Sequence, residues 1–385
     1  MAAEVRAIVV GGGIVGASVA LGLARRGWRV ALYERARLGG ASTALAAGVV
    51  SELTWDEQDR VWVAESRERY RRPPGGGESL FRRTGSLAWA RGEDGRRLLA
   101  HADRLARAGV PQERPHAAAL AARHSALRLE ADGVGLVLPE DGVTDAAAYC
   151  RAAGREIVRL GGEVHEEAPC SLVRAEGGAV ALALPDGTRR RAEVLVVAAG
   201  AWSARLLRAL DLWAPLRPYR TQLAVVAHPR AADLWPGVFH DLVLDWYTVP
   251  EAGGRLLAGD GTESTESDPD AFRTQADAAF LESVARRLGA RTGGGEDATL
   301  GRAYAGILTA TPDRRPLLGP VPGEDGLWLA AGMNGFGVMR GPAVGEAMAR
   351  WLAAGDEEAV GTACLPGRVS WEGPPAFPIR QGYTL

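Results

Sequence analysis

The stretch Val5-Arg6-Ala7-Ile8-Val9-Val10-Gly11-Gly12-Gly13-Ile14-Val15-Gly16-Ala17-Ser18-Val19-Ala20 decides the fold. A β-rich run over residues 5–10 ends in Gly11-x-Gly13-x-x-Gly16. A helical pattern follows over 17–26, with Ala17, Ala20 and Ala24 on one face. Gly27 closes it, and residues 29–33 read as a second strand ending at Glu34. Strand, glycine-rich turn, helix, strand and acid, in that order, make a βαβ dinucleotide-binding unit. Gly11 supplies the tight turn, Gly13 admits a pyrophosphate, and Gly16 lets helix and strand pack closely. The N–H groups and dipole at the helix start favour the anion. Glu34 stands where an acid about 20 residues on accepts from a ribose hydroxyl. No Gly-Lys-Ser/Thr follows, which excludes a nucleotide-hydrolysing phosphate loop. Taken alone, the unit suits NAD or FAD.

Downstream, residues 38–50 are rich in Gly, Ala, Ser and Thr and read as a loop entering a small-residue helix, and residues 73–77 are loop. Residues 96–108 read as a helix, and 139–149 as a turn and helix start capped by Thr144 or Asp145. Residues 164–184 suggest hairpins with a turn at Asp186-Gly187, and 192–199 a buried strand ending at Gly200. The pattern over 216–260 suggests an antiparallel sheet, and 271–288 a helix. A strand over 327–331, a Gly-rich loop over 332–337 and a helix over 342–352 follow. The final thirty or so residues, rich in Pro and Gly, read as a surface tail.

A length of 385 residues suits two domains, and 47% hydrophobic with 24% charged residues is ordinary for a globular chain. A net charge of −2 gives no field for nucleic acid. Every basic residue among the 45 Lys+Arg is arginine, so a lysine-dependent mechanism is excluded. Cys150, Cys170 and Cys364 form no CxxC pair, and the six histidines form no HExxH, so neither a disulfide framework nor a metal centre is indicated. No apolar run reaches membrane-span length, and the first residues lack a signal-peptide pattern. These features point to a cytoplasmic protein.

Four further segments carry a resemblance. They are Leu38–Thr43 with Ala46-Ala47-Gly48; Val196–Ser203; Thr311–Gly319; and Gly332–Met339. With the N-terminal unit, they resemble the FAD-dependent amine oxidoreductases that include D-amino acid oxidase, glycine oxidase and monomeric sarcosine oxidase. The resemblance implies an α/β fold: a Rossmann-type FAD-binding domain plus an antiparallel-sheet (α+β) substrate domain. The FAD domain is expected from residues 1–80, 140–215 and 300–356. The substrate domain is expected from 81–139 and 216–299, and a tail from 357–385. It further implies non-covalent FAD held by Gly11, Gly13, Ile14, Val15, Gly16, Glu34 and Arg35, then by Ser42, Thr43, Ala47 and Gly48. Val173, Ala199, Gly200 and Trp202 complete the middle of the site. The last segment would add Gly332, Asn334, Gly335, Phe336, Gly337, Val338 and Met339, with loop N–H groups at the flavin pyrimidine carbonyls.

The pattern also departs from the family. The arginine that clamps a substrate carboxylate in several amino-acid oxidases aligns with Leu308, and a basic residue of the sarcosine oxidases with Met339. Arg220 and Arg340 are the arginines that could replace them. The cysteine of covalent flavin attachment aligns near Gly306, the oxygen-activating lysine with Leu257, and a neighbouring histidine with Gly261. Tyr247 is expected to line the pocket, with Trp246 on the opposite face and His240 upstream. The expected activity is oxidation of a C–N bond in a small amine or amino acid by hydride transfer to flavin N5, with hydrolysis of the imine. Electrons would pass to O₂ or a redox partner. Two alternatives remain: the flavin subunit of an electron-transferring amine dehydrogenase complex, and a flavin monooxygenase. The Gly-Asp motif of the latter is replaced here by Ala331-Gly332-Met333-Asn334.

Overall fold

Runs of Val, Ile and Leu too short to span a helix form the central sheet. Ala7–Val10, Val30–Tyr33 and Val194–Val197 are buried at every position, as strands of a parallel sheet covered on both faces must be. The computed structural model describes residues 5–54, 57–175, 178–266, 268–373 and 377. The expected tail therefore falls partly outside the described residues, at 374–376 and 378–385. The sheet has six strands in the order Leu317–Pro320, Leu327–Ala331, Val194–Val197, Ala7–Val10, Val30–Tyr33, Glu163–His165. All neighbours are parallel except the first pair. One face packs on helices Ile14–Arg25, Glu57–Arg71, Ala146–Arg159 and Gly337–Ala354. The other is covered by the three-stranded meander of residues 171–190 and the short helix Ser203–Arg208.

The first and last of those helices touch through glycine. A β-carbon at Gly345 would lie 2.3 Å from the Ser18 Cβ, and one at Gly22 2.6 Å from the Ala349 Cβ. Any larger residue would force the axes apart. The Gly337–Ala354 helix begins before the expected 342, with Pro342 inside it. Proline removes the N–H that would bond the Val338 carbonyl. The Tyr70 hydroxyl donates to that carbonyl at 2.7 Å, and the next amide, Ala343 N–H, donates to Ser66 Oγ at 3.1 Å. Two side chains of the Glu57–Arg71 helix thus replace the local helical bonding, and a proline that normally stops a helix is carried through.

The second sheet has eight strands, from Ser264–Thr265 through Arg217–Ala227, Arg255–Gly259, Trp246–Glu251, Val238–Asp241 and Ser86–Ala90 to Val134–Leu138, with Thr299–Ala310 on the free side of Arg217–Ala227. It is antiparallel except where Val238–Asp241 runs parallel to Ser86–Ala90. The helix expected from 271 starts only at Ala278. The carbonyls that would build its first turns are occupied: Arg220 donates to those of Arg273 (2.7 Å) and Gln275, and the Ala305 N–H donates to Thr274 O at 2.7 Å. Tertiary bonding overrides the local pattern there.

Candidate active site

At the carboxyl ends of the central strands, where open α/β sheets place ligands, lies a cavity of about 560 Å³. Gly11 turns the chain with φ +108°, and a β-carbon there would lie 2.5 Å from Ala198 O. Gly16 has no room either: its β-carbon would meet Gly11 O at 1.9 Å. Gly13, Ile14 and Val15 line the cavity, whereas Gly16 packs behind it. No side chain of Gly13 caps the helix, and the Ile14 N–H donates to Thr43 Oγ1 at 3.1 Å. Glu34 accepts from the N–H groups of Gly12 at 2.7 Å and Ala36 at 2.8 Å, which fixes its carboxylate at the cavity wall.

Beyond Glu34, Arg35 stacks on the Trp202 ring with its guanidinium carbon 4.0 Å from the centroid. Asp270, from the loop after strand Ser264–Thr265, accepts from Arg35 (2.6 Å), Trp202 Nε1 (2.8 Å) and Arg205 (2.8 Å). Sequence reasoning named Arg35 and Trp202 but missed Arg205 and Asp270, because nothing local relates Asp270 to a strand two hundred residues earlier. Cys170 and Ser171 line this end, and Val173 of the same strand does not. Burial, reinforced by the Glu34 carboxylate, pushes the Cys170 thiol up to about 11. Ala199 and Gly200 continue the wall. A side chain on Gly200 would meet no protein atom within 4 Å, so its backbone lies open to the cavity.

At the far end, the loop after Leu327–Ala331 enters the Gly337–Ala354 helix with no side-chain cap, leaving N–H groups of the first turn facing the cavity near Gly335, Gly337 and Val338. Gly332 also lines it. Asn334, φ +50°, bonds the loop to itself: its amide oxygen accepts from Thr311 N–H at 2.9 Å, and its nitrogen donates to Gly332 O at 2.5 Å. The Ser42 hydroxyl donates to Ile307 O, holding the small-residue helix Ala41–Leu45 against the second sheet.

A second cavity of about 160 Å³ shares Ser42, Leu308, Gly335 and Val338 with the first. Ala47, Gly48, Phe336 and Met339 line only this one. Tyr247 lines it too and pairs across the sheet with Gly259, whose missing side chain makes room: a β-carbon there would lie 2.8 Å from the Tyr247 hydroxyl. Trp246 points away into the sheet's other core. His240, opposite Tyr247 in register, also lines the cavity, and burial pushes its pKa down to about 4, so the imidazole is neutral at pH 7. Tyr219 and Glu263 are lining residues that the sequence reading did not single out.

The family model described as FAD dependent oxidoreductase matches residues 6–351. The chain belongs to this family. It is 29% identical over 355 residues to a glycine oxidase of Bacillus licheniformis, covering 89% of this chain and 91% of that one. Among solved structures it is similar to glycine oxidase from Geobacillus kaustophilus, at TM-score 0.80 and 24% identity, covering 95% of this chain and 99% of that one. It is similar also to iminodiacetate oxidase from Chelativorans sp. BNC1, at TM-score 0.73 and 27% identity, covering 90% and 95%. The protein is therefore an FAD-dependent oxidoreductase of α/β fold with an added antiparallel sheet. The first cavity suits that cofactor: two helix N-termini for anionic groups, an acid for a ribose, and bare glycine backbone along the wall.

Neither arginine suggested as a substitute clamp reaches the second cavity. Arg220 is spent on Asp277 (2.9 Å) and the carbonyls described above. Arg340, buried, pairs with Asp59 and donates to Met333 O at 2.9 Å. Both hold loops that shape the site.

Proposed function

We propose that this enzyme oxidises the C–N bond of a small amine or amino acid, with the substrate in the second cavity. The observation that carries the reading is the shared wall of Ser42, Leu308, Gly335 and Val338, where one cavity passes into the other. FAD, when bound, would supply a two-electron acceptor for hydride from the carbon next to nitrogen, and water would hydrolyse the resulting imine. The chain's contribution is placement and exclusion of water. Tyr247 orients the substrate through its hydroxyl, and Leu308 and Met339 present apolar surface where relatives use charge. The helix start at Gly337 offers N–H groups that stabilise negative charge. The fingerprint, Glu34, Arg35, Ser42, Thr43, Gly200 and Trp202 hold the cofactor, Ala199, Gly332 and Asn334 complete its wall, Ala47, Gly48 and Phe336 serve the second cavity, and Val173 lies behind the wall.

FAD is held without a covalent bond, because Cys170 stands at the Glu34 end with its thiol protonated and the other two cysteines are buried. In this reading 1–80, 140–215 and 311–356 form the FAD domain and 81–139 with 216–310 the substrate domain, the boundary expected at 300 moving because strand Thr299–Ala310 pairs with Arg217–Ala227 in the second sheet. The test is anaerobic mixing of the yellow protein with a panel of amines and amino acids. Bleaching of the flavin band supports the reading, and the rate of recolouring in air separates O₂ from a protein redox partner as acceptor. A flavin that dithionite reduces and no amine does would overturn it.

A further inference from the structure

The helix Gly337–Ala354 carries a cation near its wrong end. Helix starts favour negative charge, yet this one has no acidic residue in its first turn and a buried arginine, Arg340, one turn in. The guanidinium joins two elements. Its Nη1 donates to Asp59 of the Glu57–Arg71 helix, and its Nη2 donates to Met333 O at 2.9 Å. Met333 lines the first cavity, so the guanidinium stands one hydrogen bond from that wall. The bond is not needed to close the turn, because the same carbonyl accepts from Phe336 N–H at 2.9 Å. Arg340 Nε, also buried, meets no acceptor among the described residues. Burying a guanidinium with a donor unmet is unfavourable. A neutral donor would serve the turn as well, so what the arginine adds is charge.

We propose that Arg340 is a positioning residue for hydride acceptance: it steadies the Met333–Phe336 turn and supplies positive charge that favours reduced FAD. The inference rests on the cofactor placement proposed above, with the flavin at the shared wall where this helix begins. A hydride carries two electrons and one proton, so the accepting ring gains one negative charge unless a second proton follows. That charge meets the N–H groups of the helix start and, one turn behind them, the guanidinium. Asp59 offsets part of the cation's field. The guanidinium is nevertheless the member bonded to the wall, and the nearer end of an ion pair prevails. Such an arginine is unfavourable beside a bare helix start and favourable beside one that faces an anion.

The test needs no amine. The holoprotein is reduced stepwise with dithionite beside a redox dye of known potential, and the flavin–dye equilibrium is read from the spectrum. Arg340→Gln keeps a side-chain donor and removes the charge. It should shift the equilibrium about tenfold or more towards oxidised flavin, a fall of about 30 mV for a two-electron couple. Arg340→Lys keeps the charge and should leave the equilibrium near the parent's value. Where Arg340→Gln fails to retain flavin, Asp59→Asn takes its place, and should shift the equilibrium towards reduced flavin. An equilibrium unmoved in the flavin-retaining variant overturns the proposal. Equal shifts in Arg340→Gln and Arg340→Lys overturn it too, and assign the arginine to holding the turn alone. Because no amine enters the measurement, either outcome leaves C–N oxidation to its own test.

Discussion

Glu34 accepts two backbone N–H groups with a single carboxylate, so it shapes the turn that it also serves. Bonds to a charged acceptor contribute about 1.5–3 kcal/mol each. Glu34→Gln keeps one acceptor and turns a donor on the other amide, and should weaken FAD binding by about tenfold or more, read from the fluorescence of released flavin. Among the groups that shape the response to acid, three buried ones are shifted strongly. His101 and His240 are pushed down to about 4, both chiefly by burial, the first aided by nearby Arg104. Their stabilisation is full above pH 6.5 and is lost as pH falls through 4, because the unfolded chain takes up the protons first. Asp141, buried against Ser51 and Ser86, is pushed up to about 6 by burial. It acts oppositely, losing its contribution as pH rises through 6. Two histidines outweigh one carboxyl, so the melting temperature should fall between pH 6.5 and 4. His101→Gln should flatten that fall and Asp141→Asn steepen it, as thermal scans across the range would show.

At the scale of elements, the Gly337–Ala354 helix depends on a neighbour. Tyr70→Phe leaves the Val338 carbonyl without the partner that Pro342 cannot provide. A buried carbonyl left unsatisfied costs about 1–3 kcal/mol, so a lower melting temperature is expected, with weaker flavin binding because this helix start faces the cavity. The same helix shows what the sequence could and could not disclose. Its apolar spacing was legible downstream of Pro342, but its first turn was not, because the residues that rescue it, Ser66 and Tyr70, lie on a helix that the pattern did not single out. The βαβ unit was legible because its glycines act within one turn of chain. The late start of Ala278–Arg291 was hidden, since the carbonyls before it are taken by Arg220 on another strand. The wall of the second cavity was half legible: Tyr247 sits on a recognisable strand, whereas Glu263 is brought there by the pairing of the short strand Ser264–Thr265 with Tyr219 and Arg220.

For the whole molecule, the central sheet sets the unit of folding. Val194–Val197 lies between Ala7–Val10 and Leu327–Ala331, so strands from both ends of the chain must be present together. A fragment of residues 1–215 would carry a bare hydrophobic edge there and lack the helix that packs on Ile14–Arg25. It should aggregate on size exclusion and take up no FAD. In the full chain, cofactor bound at one hundred times its dissociation constant adds about 2.7 kcal/mol to stability. The holoprotein should therefore melt at a higher temperature than the stripped protein.

Asp270 reaches across the cavity mouth to Arg35, Trp202 and Arg205, and its pair with Arg35 is open to solvent, at 46% and 41% exposure. Exposed pairs of this kind weaken as the Debye length shrinks from about 10 Å at 0.1 M salt to about 3 Å at 1 M. Cofactor exchange thus acquires an ionic signature. The off-rate of FAD on dilution should climb with ionic strength, and Asp270→Asn should make it fast at low salt and nearly indifferent to further addition. A purification in concentrated bromide would then strip the enzyme without unfolding it, and desalting would restore its capacity to hold a flavin.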